Sequence, residues 1–362
     1  MSVRSQSTVS QAPATAEAMP RLLAYPWRRL ALGLGVVVLL GLLAASVGAV
    51  FIPPLTLGKM VLARLPGVDI ARTWPETYET ILWQLRLPRV VLAGLVGASL
   101  ATSGATYQGL FRNPLADPYL IGVAAGAGLG ATIVLSTGVP LYFHGVSLLP
   151  VAAFVGAFLS VALAYGIARR SGGVPLTTLI LAGVAIASLA GAVTSLLMIR
   201  SNPDVRPLMS WLLGGFVGAG WRSSLIVLPY MAVGVLTMLA FGRILNVMQL
   251  DEDEARHLGV NVERTKLALI VAASLVTAAA VSVSGLIGFV GLIAPHAVRL
   301  IWGHDHRFLL PMSFLMGAGF LVLADLAARM ALRPIELPVG LVTAFCGAPF
   351  FLYLLWRRRV SL

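Results

Sequence analysis

The segment His304–Asp305–His306 places two imidazoles and one carboxylate within three residues. Such groups bind transition metals, but a zinc site needs three or four protein ligands. No further ligand lies at a useful spacing, and neither these histidines nor His296 pair with a nucleophile or a base, as an enzyme would require. We therefore expect no metal and no catalytic residues, and we interpret the segment as a turn that caps the next helix.

A second cluster of chemically active side chains is acidic. The stretch QLDEDEARHLGVNVERTK, residues 249–266, contains five of the fourteen acidic residues of the chain. Its first half predicts two helical turns, because acidic side chains stabilise the N-terminal end of a helix and Gly259 suits the C-terminal cap. Such a helix is either a solvated loop or a docking element for a cytoplasmic partner, and the charge pattern is compatible with both.

The rest of the chain is unusually apolar. Of its 362 residues, 58% are hydrophobic and 11% are charged, whereas a soluble protein carries about 25% charged residues. We therefore expect the protein to lie in a lipid bilayer. The net charge of +12 fits the excess of Arg and Lys in cytoplasmic loops, an interpretation that we favour over nucleic-acid binding. The single cysteine, Cys346, excludes an intrachain disulfide and is expected to be buried.

Apolar runs bounded by charged residues, Gly or Pro predict ten membrane-spanning helices. Residues 1–26 are polar and predict a disordered cytoplasmic tail, since the following apolar run is too long for a cleaved signal peptide. Residues 27–362 then form the membrane domain, and arginine clusters at 28–29, 169–170 and 357–359 predict that both termini are cytoplasmic. The predicted spans are 30–52, 89–110, 118–138, 147–168, 175–199, 223–244, 267–286, 289–303, 308–331 and 338–356.

Two features of these spans concern their packing. Residues 267–295 carry no charge and are too long for one span, so the glycines at 285, 288 and 291 and Pro295 predict a break between two shorter helices. Small residues recur at every fourth position, at 93, 97, 101, 105 and 109 and again at 122, 126 and 130. Such stripes are typical of membrane helices whose backbones approach closely.

Ionisable residues are almost absent from the spans. Asp325 and Arg329 are the exception, and their spacing predicts an ion pair between successive helical turns. An ion-coupled secondary transporter, which is the main alternative function, usually keeps acidic residues at mid-membrane. The chain also lacks the G-x-x-x-x-G-K-[ST] motif, so it cannot hydrolyse ATP by itself.

A further set of arginines lies at the outer ends of the spans, against the charge bias. Arg86 and Arg89 precede the second span, whereas Arg329 and Arg333 end the ninth. They could be interfacial anchors, or they could bind carboxylates of an external partner.

Several segments resemble a known family when they are taken in order. They are LRLPR, SGATYQGLFRNPLADPYLIGVAAGAGLGA, MSWLLGGF, DEARHLGVNVERTK, GLIGFVGLIAPHAVRLIWGHDHRFLLP, ADLAAR and ELPVGLVTAFCGAPFFLYLL, which together extend from about residue 84 to 356. The chain resembles the FecCD family, the permease subunits of type II ABC importers for iron–siderophores, haem and cobalamin. This resemblance implies an all-α polytopic fold with ten transmembrane helices in each subunit of an inner-membrane homodimer.

The resemblance also implies partners and site residues. Two ATPase subunits would bind below the permease and a substrate-binding protein above it, with no cofactor, and the path of a bulky metal chelate would follow the fifth and tenth helices. The segment 249–264 would insert into the ATPase. The implied residues are Asp251, Glu252, Glu254, Ala255, Arg256, Leu258, Gly259 and Val260 for ATPase coupling, Arg86, Arg89 and Arg329 for docking of the binding protein, and Leu176 and Thr177 for a cytoplasmic gate.

Overall fold

The computed structural model describes residues 26–64, 66–137, 142–143, 146–169, 174–201 and 205–359. Each of the ten predicted spans overlaps one helix of 13 residues or more, and the described residues are almost entirely helical, so the predicted all-α fold is confirmed. The tail predicted for residues 1–26 lies outside the described residues except for Pro26. In chain order the elements are α1 (Trp27–Ser46), α2 (Pro54–Leu62), α3 (Glu76–Thr80), a π-helical segment (Ile81–Arg86), α4 (Leu87–Leu110), α5 (Val123–Ser136), β1 (Tyr142–Phe143), β2 (Val146–Ser147), α6 (Leu148–Ala168), α7 (Leu176–Ser201), α8 (Val205–Leu212), α9 (Trp221–Ala240), α10 (Gly242–Val247), α11 (Glu252–His257), α12 (Val262–Ser284), α13 (Val290–Trp302), α14 (His306–Met330) and α15 (Val339–Arg359).

Among the described residues, seven helical stretches are long and apolar enough to cross a membrane, and one of them runs continuously from Glu76 to Leu110. Helices α5 and α13 and the apolar part of α15 are shorter. Helix α5 begins at Val123, five residues after the predicted start of its span. The delay arises because the side chains of Asn113 and Asp117 accept hydrogen bonds from the amides of Leu115 and Tyr119 and so hold this segment in turns.

The predicted break after the seventh span is confirmed, with α12 ending at Ser284 and α13 beginning at Val290. Gly285 leaves the helix with a φ of 66°, and Phe289 precedes α13 with a φ of 69°. Pro295, which the sequence also suggested as a break point, instead lies within α13. The Tyr119 hydroxyl donates to the carbonyl of Ile287 at 3.0 Å, so this connection packs against the turns that precede α5.

The small-residue stripes lie where helices touch. A Cβ atom at Gly97 would lie 2.2 Å from the carbonyl oxygen of Gly317, and one at Gly126 would lie 2.3 Å from that of Gly156. Helix α4 therefore contacts α14, and α5 contacts α6, backbone against backbone. The close packing predicted from the stripes is confirmed, and it supplies the association that the hydrophobic effect does not supply between helices in lipid.

Side-chain contacts define the two ends of the bundle. At the first, which we call the α11 end, the Gln249 side chain donates to the carbonyl of Gly109, and Asn246 donates to Asp305 at 2.7 Å. At the second, which we call the α15 end because α15 begins there, the amide of Val339 donates to the carbonyl of Gly214 at 2.9 Å. The predicted coupling segment lies at the α11 end, and the predicted docking arginines lie at the α15 end.

Candidate functional site

The acidic segment forms the short helix α11. Asp251 is its N-cap residue, and three acidic residues occupy its first turn, where they face the positive end of the helix. Gly259 follows with a φ of 85°, a conformation that favours glycine, and its amide donates to the carbonyl of Arg256. The next helix, α12, starts three residues later, and the side chain of its N-cap residue Asn261 accepts from the amide of Arg264. The predicted helix and its glycine cap are therefore confirmed.

Two cations hold α11 against the bundle. The Lys266 ammonium, on a side chain that is only 4% exposed, lies 2.7 Å from a carboxylate oxygen of Glu252. Arg112, just beyond the end of α4, donates to the carbonyl of Met248 at 2.9 Å and lies 3.3 Å from Asp251. Ala255, on the inner face of α11, is fully buried. A force on α11 would therefore be transmitted directly to α12 and to the end of α4.

The outer face of α11 points away from the bundle. Leu258, directly after α11, is 64% exposed. Asp251, Glu254, Arg256 and Gly259 are also exposed, whereas Glu252 and Val260 are half-buried. The segment therefore combines an anchored inner face with an outer face that exposes carboxylates, Arg256 and one apolar side chain.

Asp305 forms the predicted helix cap. Its carboxylate accepts from the amide of Arg307 and from Asn246, and it pairs with the Arg307 guanidinium at 2.6 Å. The hydrogen bond from the Arg307 side chain is the largest of several causes that lower the pKa of Asp305 to about 2. His306 faces Asn246 at 2.9 Å. Within the described ranges, no group of three or more His, Cys, Asp or Glu residues could hold a metal ion.

The arginines at the α15 end are occupied within the protein. Arg89 lies 2.9 Å from Asp325 and 2.9 Å from Glu336, and Arg329 lies 3.0 Å from Asp325. The Asp325 side chain is 1% exposed, and this buried carboxylate has two arginine partners. The predicted pairing of Asp325 with Arg329 is confirmed. The contribution of Arg89 was missed, because it lies 236 positions away in the sequence.

Arg86 lies deeper than the other predicted docking residues. It is 6% exposed, and its guanidinium donates to the carbonyls of Ala45, Ser46 and Val50. A Cβ atom at Gly48 would collide with this guanidinium, so the glycine makes room for it. Arg86 therefore ties the end of α1 to the start of α4. A direct contact with an external partner would require it to leave these carbonyls.

The predicted gate residues lie in the first turn of α7, where Leu176 is half-buried and Thr177 is exposed. Further along α7, Val184 and Ser188 line a cleft of about 600 Å³ together with Asp117, Tyr119 and Phe289. Burial raises the pKa of Asp117 to about 6. The cleft thus brings a carboxyl group and two aromatic residues beside the helix that the resemblance assigns to the substrate path.

Cys346 differs from its prediction. It was expected to be buried, but it is exposed on α15, next to Phe345, which is 77% exposed. Helix α7 likewise presents exposed leucines along its length, including Leu181 and Leu196. The sequence could not separate these positions from the core, because a helix face toward lipid or toward a second subunit is as apolar as one toward the bundle.

Comparison with known proteins identifies the family. Residues 36–357 match the FecCD transport family. The chain belongs to this family. The cobalamin import system permease protein BtuC of Halobacterium salinarum is 50% identical over 288 residues, which cover 79% of this chain and 76% of that protein. The hemin transport system permease protein HmuU of Yersinia pestis is 40% identical over 320 residues, covering 84% and 92% respectively.

A solved structure agrees with these relatives. It is described as an inward-facing conformation of a metal-chelate type ABC transporter, and it superposes on this chain with a TM-score of 0.79. The two share 32% sequence identity, and the match covers 92% of this chain and 100% of the other. The resemblance stated from the sequence is therefore confirmed, both in family and in fold.

Proposed function

We propose that this chain is the membrane permease subunit of an ATP-driven importer of a bulky metal chelate. The observation that carries the proposal is α11, an exposed acidic helix that is anchored to two long helices through Lys266 and Arg112. A chain without a nucleotide-binding motif needs such a surface to receive work from a separate ATPase subunit. The names of its FecCD relatives, which include cobalamin and hemin permeases, support a metal chelate as the substrate.

In this proposal, two ATPase subunits bind one α11 helix from each of two permease copies. Their closure on ATP moves α11, and the anchored helices α4 and α12 convert that movement into opening and closing of the substrate path. The α11 end then faces the cytoplasm, as do both termini, and the protein resides in the inner membrane. The coupling residues are those named from the sequence, with Leu258 as the central apolar contact.

The substrate path in this proposal runs between the two permease copies. The exposed apolar faces of α7 and α15 are the surfaces that a second copy would cover. Leu176 and Thr177 close the cytoplasmic side of this path. The cleft with Asp117 and Phe289 opens beside α7, and its aromatic and apolar lining suits a large chelate better than a small ion, which requires dense polar ligands.

The substrate-binding protein docks at the α15 end in this proposal. Arg89 and Arg329 retain little exposure, and Arg86 retains less, so these arginines act mainly by positioning the ends of α1, α4 and α14 and by the positive potential that they add. Exposed Arg333 lies on the same surface and is available for direct contact with acidic side chains.

The test is reconstitution with partners. The full chain is co-expressed with an ABC ATPase subunit and a substrate-binding protein from the same source, and uptake of cobalamin, haem or a ferric siderophore into proteoliposomes is measured. We expect uptake that requires ATP and the binding protein. Uptake driven by an ion gradient without the ATPase would contradict the proposal and favour a secondary transporter.

The homodimer has its own test. Cys346 is the single cysteine and is exposed on α15 in the single chain, so each copy can carry one spin label without engineering when labelling precedes dimer assembly. We expect the purified complex to give one well-defined distance between two labels. A complex with no dipolar coupling between labels would contradict the arrangement in which α15 faces a second copy.

A further inference from the structure

An apolar groove opens on the side of the bundle toward the α11 end. Its volume is about 690 Å³, within the range of about 300–1,000 Å³ that is typical of ligand sites. Helices α1 and α9 form its two walls, and α4 and α14 form its floor. The lining includes Trp27, Leu34, Leu95, Ala232, Leu239 and Phe314.

The depth of the groove matches one leaflet of a bilayer. On α9 its lining extends from Leu228 to Leu239, which at 1.5 Å per residue corresponds to roughly 16 Å. The hydrocarbon core of a bilayer is about 30 Å thick, so one leaflet supplies about half of that. The groove therefore has the length and the apolar lining that suit an acyl chain of the leaflet on the α11 side.

Three arginines lie within four residues of groove-lining side chains at the α11 end of the groove. Arg28 lies in the first turn of α1, Arg243 lies four residues beyond Leu239, and Arg307 lies one turn before Pro311 of the floor. Arg307 is partly neutralised by Asp305. Among the described residues, Arg28 and Arg243 form no ion pair, and both are exposed. Trp27 also lines the mouth, where an amphipathic ring suits the headgroup region.

We propose that this groove binds an anionic phospholipid of the cytoplasmic leaflet, with its phosphate on Arg28 and Arg243 and an acyl chain between α1 and α9. The assignment to the cytoplasmic leaflet rests on the orientation given in the proposed function. Basic residues beside a groove between membrane helices select anionic headgroups, whereas a groove that only fills with lipid makes no such selection. The bound lipid would link α1 to α9 across the gap between them.

The test is native mass spectrometry of the purified full chain, titrated with phosphatidylglycerol or with phosphatidylcholine of the same acyl chains. We expect phosphatidylglycerol to bind at least about tenfold more tightly at one site per chain, from roughly 1 kcal/mol for each arginine. Arg28→Gln with Arg243→Gln should abolish this preference. The matched control, Arg169→Gln with Arg264→Gln, removes two exposed charges, one directly after α6 and one on α12. Neither helix lines the groove, so this control should preserve the preference.

A second pair of variants tests the acyl chain. Ala232→Trp fills the groove and should displace the lipid although both arginines remain, whereas Val233→Trp adds the same ring outside the groove lining and should not. Equal binding of the two lipids by the wild-type chain, the same loss in both double variants, or lipid binding by Ala232→Trp at the wild-type level would each overturn the proposal. The readout uses neither ATPase nor substrate, so failure of the lipid site and failure of the proposed function are separate outcomes.

Discussion

The two ends of this bundle handle charge in opposite ways. At the α15 end, Asp325 is 1% exposed and receives both Arg89 and Arg329, so opposite charges are buried together. At the α11 end, only Glu252 has a buried partner, and the other acidic side chains of α11 remain open to solvent. A dense group of charges in an apolar chain therefore indicates a partner surface only where most of the charged side chains remain exposed.

The comparison of the two ends predicts that Asp325→Ala causes the largest loss, namely a loss of folding stability. This change leaves two largely buried arginines without their carboxylate, and breaking a buried ion pair from one side costs about 3–5 kcal/mol. We expect severe loss of folded protein, measured as monodisperse yield and as the melting temperature in detergent. Glu336→Gln is the control, because Glu336 is 42% exposed and pairs of that kind contribute about 1 kcal/mol or less. Equal losses in both variants would contradict the central role given to Asp325.

Leu258→Glu tests the opposite end. Leu258 is exposed in the isolated chain, so the folded permease should keep its melting temperature. The ATPase should bind more than about tenfold more weakly, because a charge would be buried at the centre of the contact. Leu55→Glu, on α2 and also well exposed, is the matched control and should leave ATPase affinity unchanged. Wild-type ATPase affinity in Leu258→Glu would show that α11 is only a solvated loop.

The ion pair between Lys266 and Glu252, which anchors α11, predicts a smaller effect, on transport per ATP. Lys266→Met removes the charge that holds Glu252 but keeps an apolar stem of similar length. We expect the ATPase still to bind and to hydrolyse ATP, while transport per ATP falls several-fold. Glu252→Gln should give a similar loss, and the double variant should be no worse than either single one, as expected for two residues that act as one pair. Additive losses in the double variant would mean that the residues act separately.

These contacts show what the sequence could and could not reveal. The ten helices, the stripes at Gly97 and Gly126, and the capped helix α11 follow from local periodicity, so they were predictable. The pairing of Arg89 with Asp325 joins segments 236 positions apart, which no local pattern of the sequence encodes. Lys266 and Glu252 are only 14 positions apart, but their pairing depends on how α11 folds back on α12. The burial of Arg86 likewise depends on Gly48, which lies 38 positions away and leaves room for the guanidinium.

The docking prediction separates two kinds of arginine at the α15 end. Arg333→Gln should weaken affinity for the binding protein a few-fold, mainly at low salt, with an unchanged melting temperature, because Arg333 is exposed. Arg86→Gln should instead lower the melting temperature, because the carbonyls that accept hydrogen bonds from the Arg86 guanidinium would lose their donor. If Arg86→Gln left stability intact and affected only docking, Arg86 would be a direct contact residue after all.

Asp117 is a charged group of a third kind, and its expected effect, on the pH dependence of stability, is the smallest. It is neither paired with a cation among the described residues nor exposed like the acids of α11, and burial raises its pKa to about 6. An unfolded aspartate titrates near 3.9. The folded protein therefore holds the proton more tightly, so this group favours folding below the unfolded pKa and loses that contribution as pH rises through about 6.

The melting temperature of the wild type, compared with that of Asp117→Asn, should fall by a few degrees between pH 5 and 7.5. A constant difference across this range would mean that the carboxylate stays ionised, and that the cleft beside α7 is wet enough to solvate it.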